Sequence, residues 1–204
     1  MSLFVVWVGV MFPLVFSPGP ANIVFAASGA KVGVKRSLPL IAGVDTVFLL
    51  KSVMVGFGLG ELLSRFPNTL NVMQLLGSLY LVYMAIQFAK PNTQDARETR
   101  SSLGFVDGVI VQALNSKGWL MVLLMFTLFS EQATNEFGQY GIVMLIVWLA
   151  ILNIGTHIIW VALGDLLSRV SQSPRYEKGL NYAYATSLCL VSGWLLYENP
   201  LFQH

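Results

Sequence analysis

Hydrophobic residues run along this chain in long blocks, broken only by short polar stretches such as 31–36, 90–102 and 168–178. A helix that crosses a hydrocarbon core of about 30 Å needs roughly 20 mostly apolar residues. Six segments reach that length: approximately 3–29, 38–63, 68–89, 105–130, 138–167 and 179–199. The pattern predicts an all-α polytopic membrane protein with six transmembrane helices, forming a single transmembrane domain over residues 1–204. The first Lys or Arg is Lys31, so the N-terminal block lacks the basic start of a cleaved signal and reads as a permanent span.

Composition agrees with this reading. Of the 204 residues, 55% are hydrophobic and 11% charged, with a mean hydropathy of +0.68, too little charge to cover a water-exposed surface. The formal net charge of +2 gives no basic footprint for nucleic acid. The single Cys189 excludes disulfide frameworks, CxxC relays and Cys-rich zinc sites. We expect no cofactor and no metal site.

Positive charge sets an orientation, because loops rich in Lys and Arg stay cytoplasmic. Nine of the twelve lie in loops one, three and five: Lys31, Lys35, Arg36, Lys90, Arg97, Arg100, Arg169, Arg175 and Lys178. The other side holds only Arg65, and Lys51 and Lys117 fall inside spans. Both termini are therefore expected outside the cytoplasm. A first segment that dips in without crossing would reverse only the N-terminus.

The second span ends in Gly60-Glu61-Leu62-Leu63-Ser64-Arg65 and the fifth in Gly164-Asp165-Leu166-Leu167-Ser168-Arg169, an offset of 104 residues. Two three-span copies, about 1–102 and 103–204, would be inverted relative to one another, because each has an odd number of spans. Secondary transporters share that plan, with the substrate site near the midplane between the repeats.

The first span of each copy is expected to break within the membrane. Ser17-Pro18-Gly19-Pro20 combines two prolines with a glycine, and a helix restarting near Ala21–Asn22 would offer unpaired amides and a positive dipole end to a carboxylate. Such a break is tolerable only against protein or a water-filled cavity. In the fourth span, Asn115-Ser116-Lys117-Gly118 places a lysine near mid-bilayer, costly unless it is paired or hydrated. Lys117 reads either as a functional group or as half of a buried structural pair.

Asp45 and Lys51 are the other charges within spans. Asp45 has three available roles: to pair with Lys117, to take a coupling proton, or to hold a substrate ammonium. Lys51 and His157 join Asp45 as coupling candidates, although a lone membrane His also serves as a neutral hydrogen-bonded side chain. Asp107 and Glu61 lie near span ends and read as solvated carboxylates. Gly56, Gly58 and Gly60 allow close helix approach, either within the monomer or in a homodimer. The tryptophans read as interfacial anchors or packing groups.

Ser17-Pro18-Gly19-Pro20-Ala21-Asn22, Gly43, Gly56–Gly60, Gly77-Ser78-Leu79-Tyr80-Leu81, and Gly108 followed by Asn115-Ser116-Lys117 together resemble the lysine-exporter (LysE) family, which includes the homoserine and threonine resistance (RhtB) type exporters. The resemblance covers essentially the whole chain. It implies a bacterial inner-membrane exporter of amino acids, with the family's Pro-Gly-Pro on Pro18, Gly19 and Pro20 and its Asn-Pro-Lys on Asn115, Ser116 and Lys117. Ser116 replaces the usual proline, so a milder second break is expected.

The combined expectation is an exporter of small amino acids, neutral or zwitterionic, working by alternating access and driven by the proton motive force. Its candidate substrate residues are Pro18, Gly19, Pro20, Asn22, Asp45, Asn115 and Lys117. The rival readings are transport of another solute such as a metal cation, an intramembrane enzyme, and a non-transporting subunit. The enzyme reading lacks a nucleophile–base or metal constellation.

Overall fold

The computed structural model describes residues 2–59, 67–89, 103–170 and 174–202. Glu61, Arg65, Lys90, Arg97, Arg100 and the first copy of the Gly-acid-Leu-Leu-Ser-Arg repeat lie outside the described residues.

Helix α1, Leu3–Phe16, ends where Ser17, Pro18 and Gly19 become extended. Helix α2, Pro20–Met54, starts with its proline in the first turn, where a missing N–H costs nothing. Two helical limbs meet within the polar stretch expected to be a loop, at Gly33, whose non-helical φ of 79° and ψ of 173° turn the chain sharply. The Ser28 and Ser37 hydroxyls are 2.8 Å apart across this turn. Nine residues of straight helix would separate them by about 13.5 Å, so the two limbs of α2 fold back on each other. The boundary between the first two expected spans is thus a corner made by one glycine.

A π-helical turn, Val55–Leu59, ends the second limb. Helix α3 spans Pro67–Ala89, α4 Phe105–Ala113, α5 Ser116–Phe137, α6 Gly141–Val170 and α7 Pro174–Tyr197, with a 3₁₀ turn at Gly138–Tyr140 joining α5 to α6. Asp107 does not behave as a solvated end group. Its carboxylate accepts from the Gly104 N–H at 2.7 Å, capping α4, and from the Tyr80 hydroxyl at 2.9 Å.

Two helix crossings are so close that only glycine fits. A Cβ on Gly29 of α2 would lie 2.0 Å from the Val161 carbonyl oxygen of α6, and one on Gly164 would lie 1.9 Å from that of Ala26. The second limb of α2 meets α4 in the same way, Gly43 against Phe105 and Gly108 against Leu40. Gly56 packs on Phe126 and Ile142 of its own chain. Helices α3 and α7 are joined by buried polar bonds, Ser192 Oγ to the Ser78 carbonyl and Gln74 Nε2 to that of Leu195, each 2.8 Å.

The buried apolar residues form two cores. One gathers Trp7, Met11 and Val15 of α1 with Trp119, Val122 and Met125 of α5 and Leu145 and Leu149 of α6. The other gathers Val24, Phe25 and Leu40 of α2 with Met84, Val111, Val161 and Leu188. Between Val15 and Ala21, and again between Val111 and Trp119, the chain passes from one core to the other. Both helix breaks therefore lie at the junction of the two cores. Large apolar side chains such as Phe4, Leu50, Ile86, Val106, Ile151 and Leu190 cover the outside, as a lipid-facing surface requires.

Candidate functional site

The first break frees backbone carbonyls at the end of α1, and side chains take them up. Asn22, buried in the first turn of α2, donates from Nδ2 to the Val15 carbonyl at 2.9 Å and to that of Ser17 at 3.0 Å. Lys117, from the opposite break, donates to the Ser17 hydroxyl at 2.7 Å and its carbonyl at 3.2 Å. The Lys117 side chain lies across the face of Gly19, where a Cβ would stand 3.0 Å from its ammonium nitrogen. Glycine there lets the lysine lie flat on the backbone, and a larger residue would displace the ammonium.

The second break is shorter. Leu114 keeps near-helical angles and only Asn115, at φ −77° and ψ 97°, is extended. Asn115 caps α5 by accepting from the Gly118 N–H at 3.4 Å, and donates to Gln112 Oε1 at 3.1 Å. Serine at 116 keeps the N–H that proline would remove, consistent with a milder interruption. The carbonyls at the end of α4 are met by Lys51, whose buried ammonium donates to the Gln112 carbonyl and, at 3.4 Å, to that of Asn115. That ammonium lies 4.5 Å from the centroid of the Trp119 ring, and the Trp119 indole N–H donates to the Ala113 carbonyl at 3.2 Å. Gly77 lets α3 press against this break, since a Cβ there would lie 2.6 Å from the Leu114 carbonyl oxygen.

Both breaks line one open cavity of about 780 Å³, bordered on its other sides by α3 and α7. Ser17, Pro18, Gly19, Pro20, Asn115, Ser116 and Lys117 border it, together with apolar Leu81, Val111, Leu114, Leu120 and Leu124 and polar Asn71, Gln74, Tyr80 and Glu198. On the other side of Lys117 lies a polar void of about 30 Å³, bordered by Asn22, Gln112, Asn153 and His157. Gly19, Pro20, Asn115 and Lys117 border both spaces, so the lysine and the first break form the wall between them.

Asp45 is not on the large cavity. Its carboxylate Oδ1 is 2.7 Å from His157 Nδ1, a pair with only 5% of the histidine and 16% of the aspartate side chain exposed. A carboxylate accepts, so Nδ1 carries the proton of that bond. The structure thus brings Pro18, Gly19, Pro20, Asn115 and Lys117 onto one cavity, sets Asn22 behind them, pairs Asp45 with His157 next door, and ties Lys51 to the second break. Gln112 and Trp119 escaped the sequence reading, because a buried Gln and an apparent packing Trp carry no signal until the freed carbonyls beside them are known.

A family model described as "LysE type translocator" matches residues 12–199. The chain belongs to the LysE family. Among its relatives, a cysteine/O-acetylserine efflux protein of Klebsiella pneumoniae subsp. pneumoniae is 28% identical over 84% of this chain and 86% of its own. A homoserine/homoserine lactone efflux protein of Salmonella typhimurium is 25% identical over 89% of this chain and 90% of its own. A protein of Vibrio cholerae named only as an uncharacterized membrane protein is 23% identical over 94% and 96%. No solved structure matches the chain. The LysE-family protein described here is thus a membrane protein whose named relatives are efflux transporters rather than enzymes.

Proposed function

We propose that this LysE-family protein exports neutral amino acids across the bacterial inner membrane by alternating access. The observation that carries the reading is the convergence of both helix breaks on Lys117 at the wall of the large, mainly apolar cavity. The substrate carboxylate takes the Lys117 ammonium in place of Ser17, with the α2 amide end beside it, and the side chain occupies the apolar part of the cavity. Lys117 is the cation at the inner wall, so a second cationic group on the substrate would meet repulsion there and neutral side chains are favoured. The names of the relatives, cysteine, O-acetylserine and homoserine efflux proteins, agree with a small amino acid cargo.

In this reading the halves 1–102 and 103–204 are inverted repeats, six spans in all, and the extended residues Ser17–Gly19 and Asn115 are hinges between the two cores. Rocking of one core against the other opens the cavity to alternate sides. Protons drive the cycle and both termini face away from the cytoplasm.

The test is export of labelled amino acids from dipeptide-loaded cells. Expressing cells should release neutral amino acids at least several-fold faster than controls, and Lys117→Met should reduce that release to the control rate while the protein still accumulates. Equal release from expressing and control cells across a broad panel would overturn the proposal. Normal export by a stable Lys117→Met protein would leave the lysine a structural pair with Ser17.

A further inference from the structure

The void behind Lys117 has features that a packing defect does not. It is polar on several sides, bordered by the buried side chains of Asn22, Gln112, Asn153 and His157. Gln112 Nε2 is buried without a hydrogen-bond partner, packed against Gly118, which also borders the void. At about 30 Å³ the void has room for one or two waters or for an ammonium group. It adjoins the large cavity through the shared wall of Gly19, Pro20 and Lys117.

His157 can present two different faces to this space. Asp45 holds Nδ1–H at 2.7 Å, so a neutral ring keeps Nε2 as a hydrogen-bond acceptor, while a protonated ring makes Nε2–H a donor. An amino acid with its carboxylate on Lys117 carries its ammonium one carbon away, and Lys117 and His157 border the same void. The neutral ring would accept from that ammonium and the protonated ring would repel it.

We infer that His157, oriented by Asp45, is an exchange site that holds either a proton or the substrate ammonium and never both. The inference rests on the substrate site proposed above. When the ammonium arrives, the Nε2–H bond breaks, the proton leaves to water, and the His157–Asp45 pair passes from net zero to one negative charge. Loss of the substrate reverses the step. Mutually exclusive occupancy lets an inward proton gradient push an amino acid outward. The charged groups around the pair are Asp45 itself, Lys117 from α5 across the void, and Lys51, which reaches the void's Gln112 through its carbonyl. The remaining neighbours, Asn22 and Phe25 on α2 and Asn153 on α6, do not titrate. Asp45 acts as a positioning residue, since its carboxylate fixes which ring nitrogen is left to the void.

The test uses the purified full-length protein in weakly buffered detergent with a pH indicator, titrated with L-methionine, L-leucine and L-homoserine. Binding to the wild type should release up to one proton per substrate. The apparent Kd should weaken as the pH falls, by up to about tenfold per pH unit where one proton is released per substrate. His157→Gln should bind with no proton release and no pH dependence between about pH 5 and 8, and Asp45→Asn should blunt both. Wild-type binding without proton release, or release that persists in His157→Gln, overturns the inference. Lys117→Met separates it from the site reading: unchanged binding by that variant overturns the site, whereas lost binding together with a proton-silent wild type overturns the exchange step alone. Failure of all three amino acids to bind overturns both.

Discussion

At the scale of single residues, Lys51 is a charge inside the described helices that is held by backbone, whereas Asp45 is held by the His157 side chain and Lys117 by both the hydroxyl and the carbonyl of Ser17. Lys51 is 1% exposed, and its ammonium meets the carbonyls of Gln112 and Asn115 and the face of Trp119. Breaking a helix leaves carbonyls that lipid cannot satisfy, and an ammonium with three donors is well suited to collect them. Lys51 therefore acts as a strut for the second break. Lys51→Met should leave the Gln112 and Asn115 carbonyls with only their backbone donors, the Asn115 N–H at 3.3 Å and the Trp119 N–H at 3.4 Å, and the lost charge-assisted bonds should cost about 1.5–3 kcal/mol, read as a lower melting temperature in detergent. Lys51→Arg keeps the donors and should lose less. Equal melting temperatures for wild type and Lys51→Met would rule out the strut. Asn22 and Asn115 do related work at smaller cost. Replacing the α5 cap, Asn115→Ala, should destabilise by about 0.5–2 kcal/mol, and the same melting assay checks it.

At the scale of helices, the arrangement depends on where the chain can come close to itself. The pairs Gly29 with Val161 and Gly164 with Ala26 set backbone against backbone at a crossing with no space for a methyl group. Gly29→Ala or Gly164→Ala must push the helices apart, which should cost about 1–3 kcal/mol or more. Gly155 on α6 has open space where its Cβ would go, so Gly155→Ala should be neutral or stabilise by about 0.5–1 kcal/mol. Thermal unfolding of the three variants checks the contrast, and a similar loss at Gly155 would mean that the close crossing is not the source of the cost. This scale also marks how much could be read beforehand. Pro18, Gly19 and Pro20 announce their break locally, because proline and glycine act on their own backbone, and Lys117 stands out because charge is scarce in lipid. Gly33 sits in a polar stretch that suits a loop equally well, and only its positive φ reveals a corner. The Asp45–His157 pair joins residues 112 apart, and Gln112 and Trp119 gain their roles from carbonyls freed by tertiary structure. Local chemistry was legible, and partnership across the fold was not.

At the scale of the whole molecule, the two breaks lie where the chain passes between two cores, while α2 between Val44 and Phe48 and α6 between Leu149 and Val161 pass between them unbroken, so a movement of one core against the other would act on the site from both sides at once and bend those two helices. This geometry is useful for export only if the halves are inverted and the basic loops are cytoplasmic. Both conditions can be tested with one set of fusions. If each half has an odd number of spans, a reporter placed after residue 102 and one placed after His204 must lie on opposite sides of the membrane. Nine of the twelve positive residues lie in the three stretches read as loops one, three and five, which predicts the position after residue 102 in the cytoplasm and the C-terminus outside. A phosphatase that is active only outside the cytoplasm should therefore be active after His204 and inactive after residue 102, and a cytoplasmic fluorescent protein should give the reverse. Matching activity at the two positions would mean an even number of spans in the second half and would end the inverted-repeat reading. Opposite activity with the signs exchanged would keep the repeat and turn the molecule over, leaving the basic loops outside.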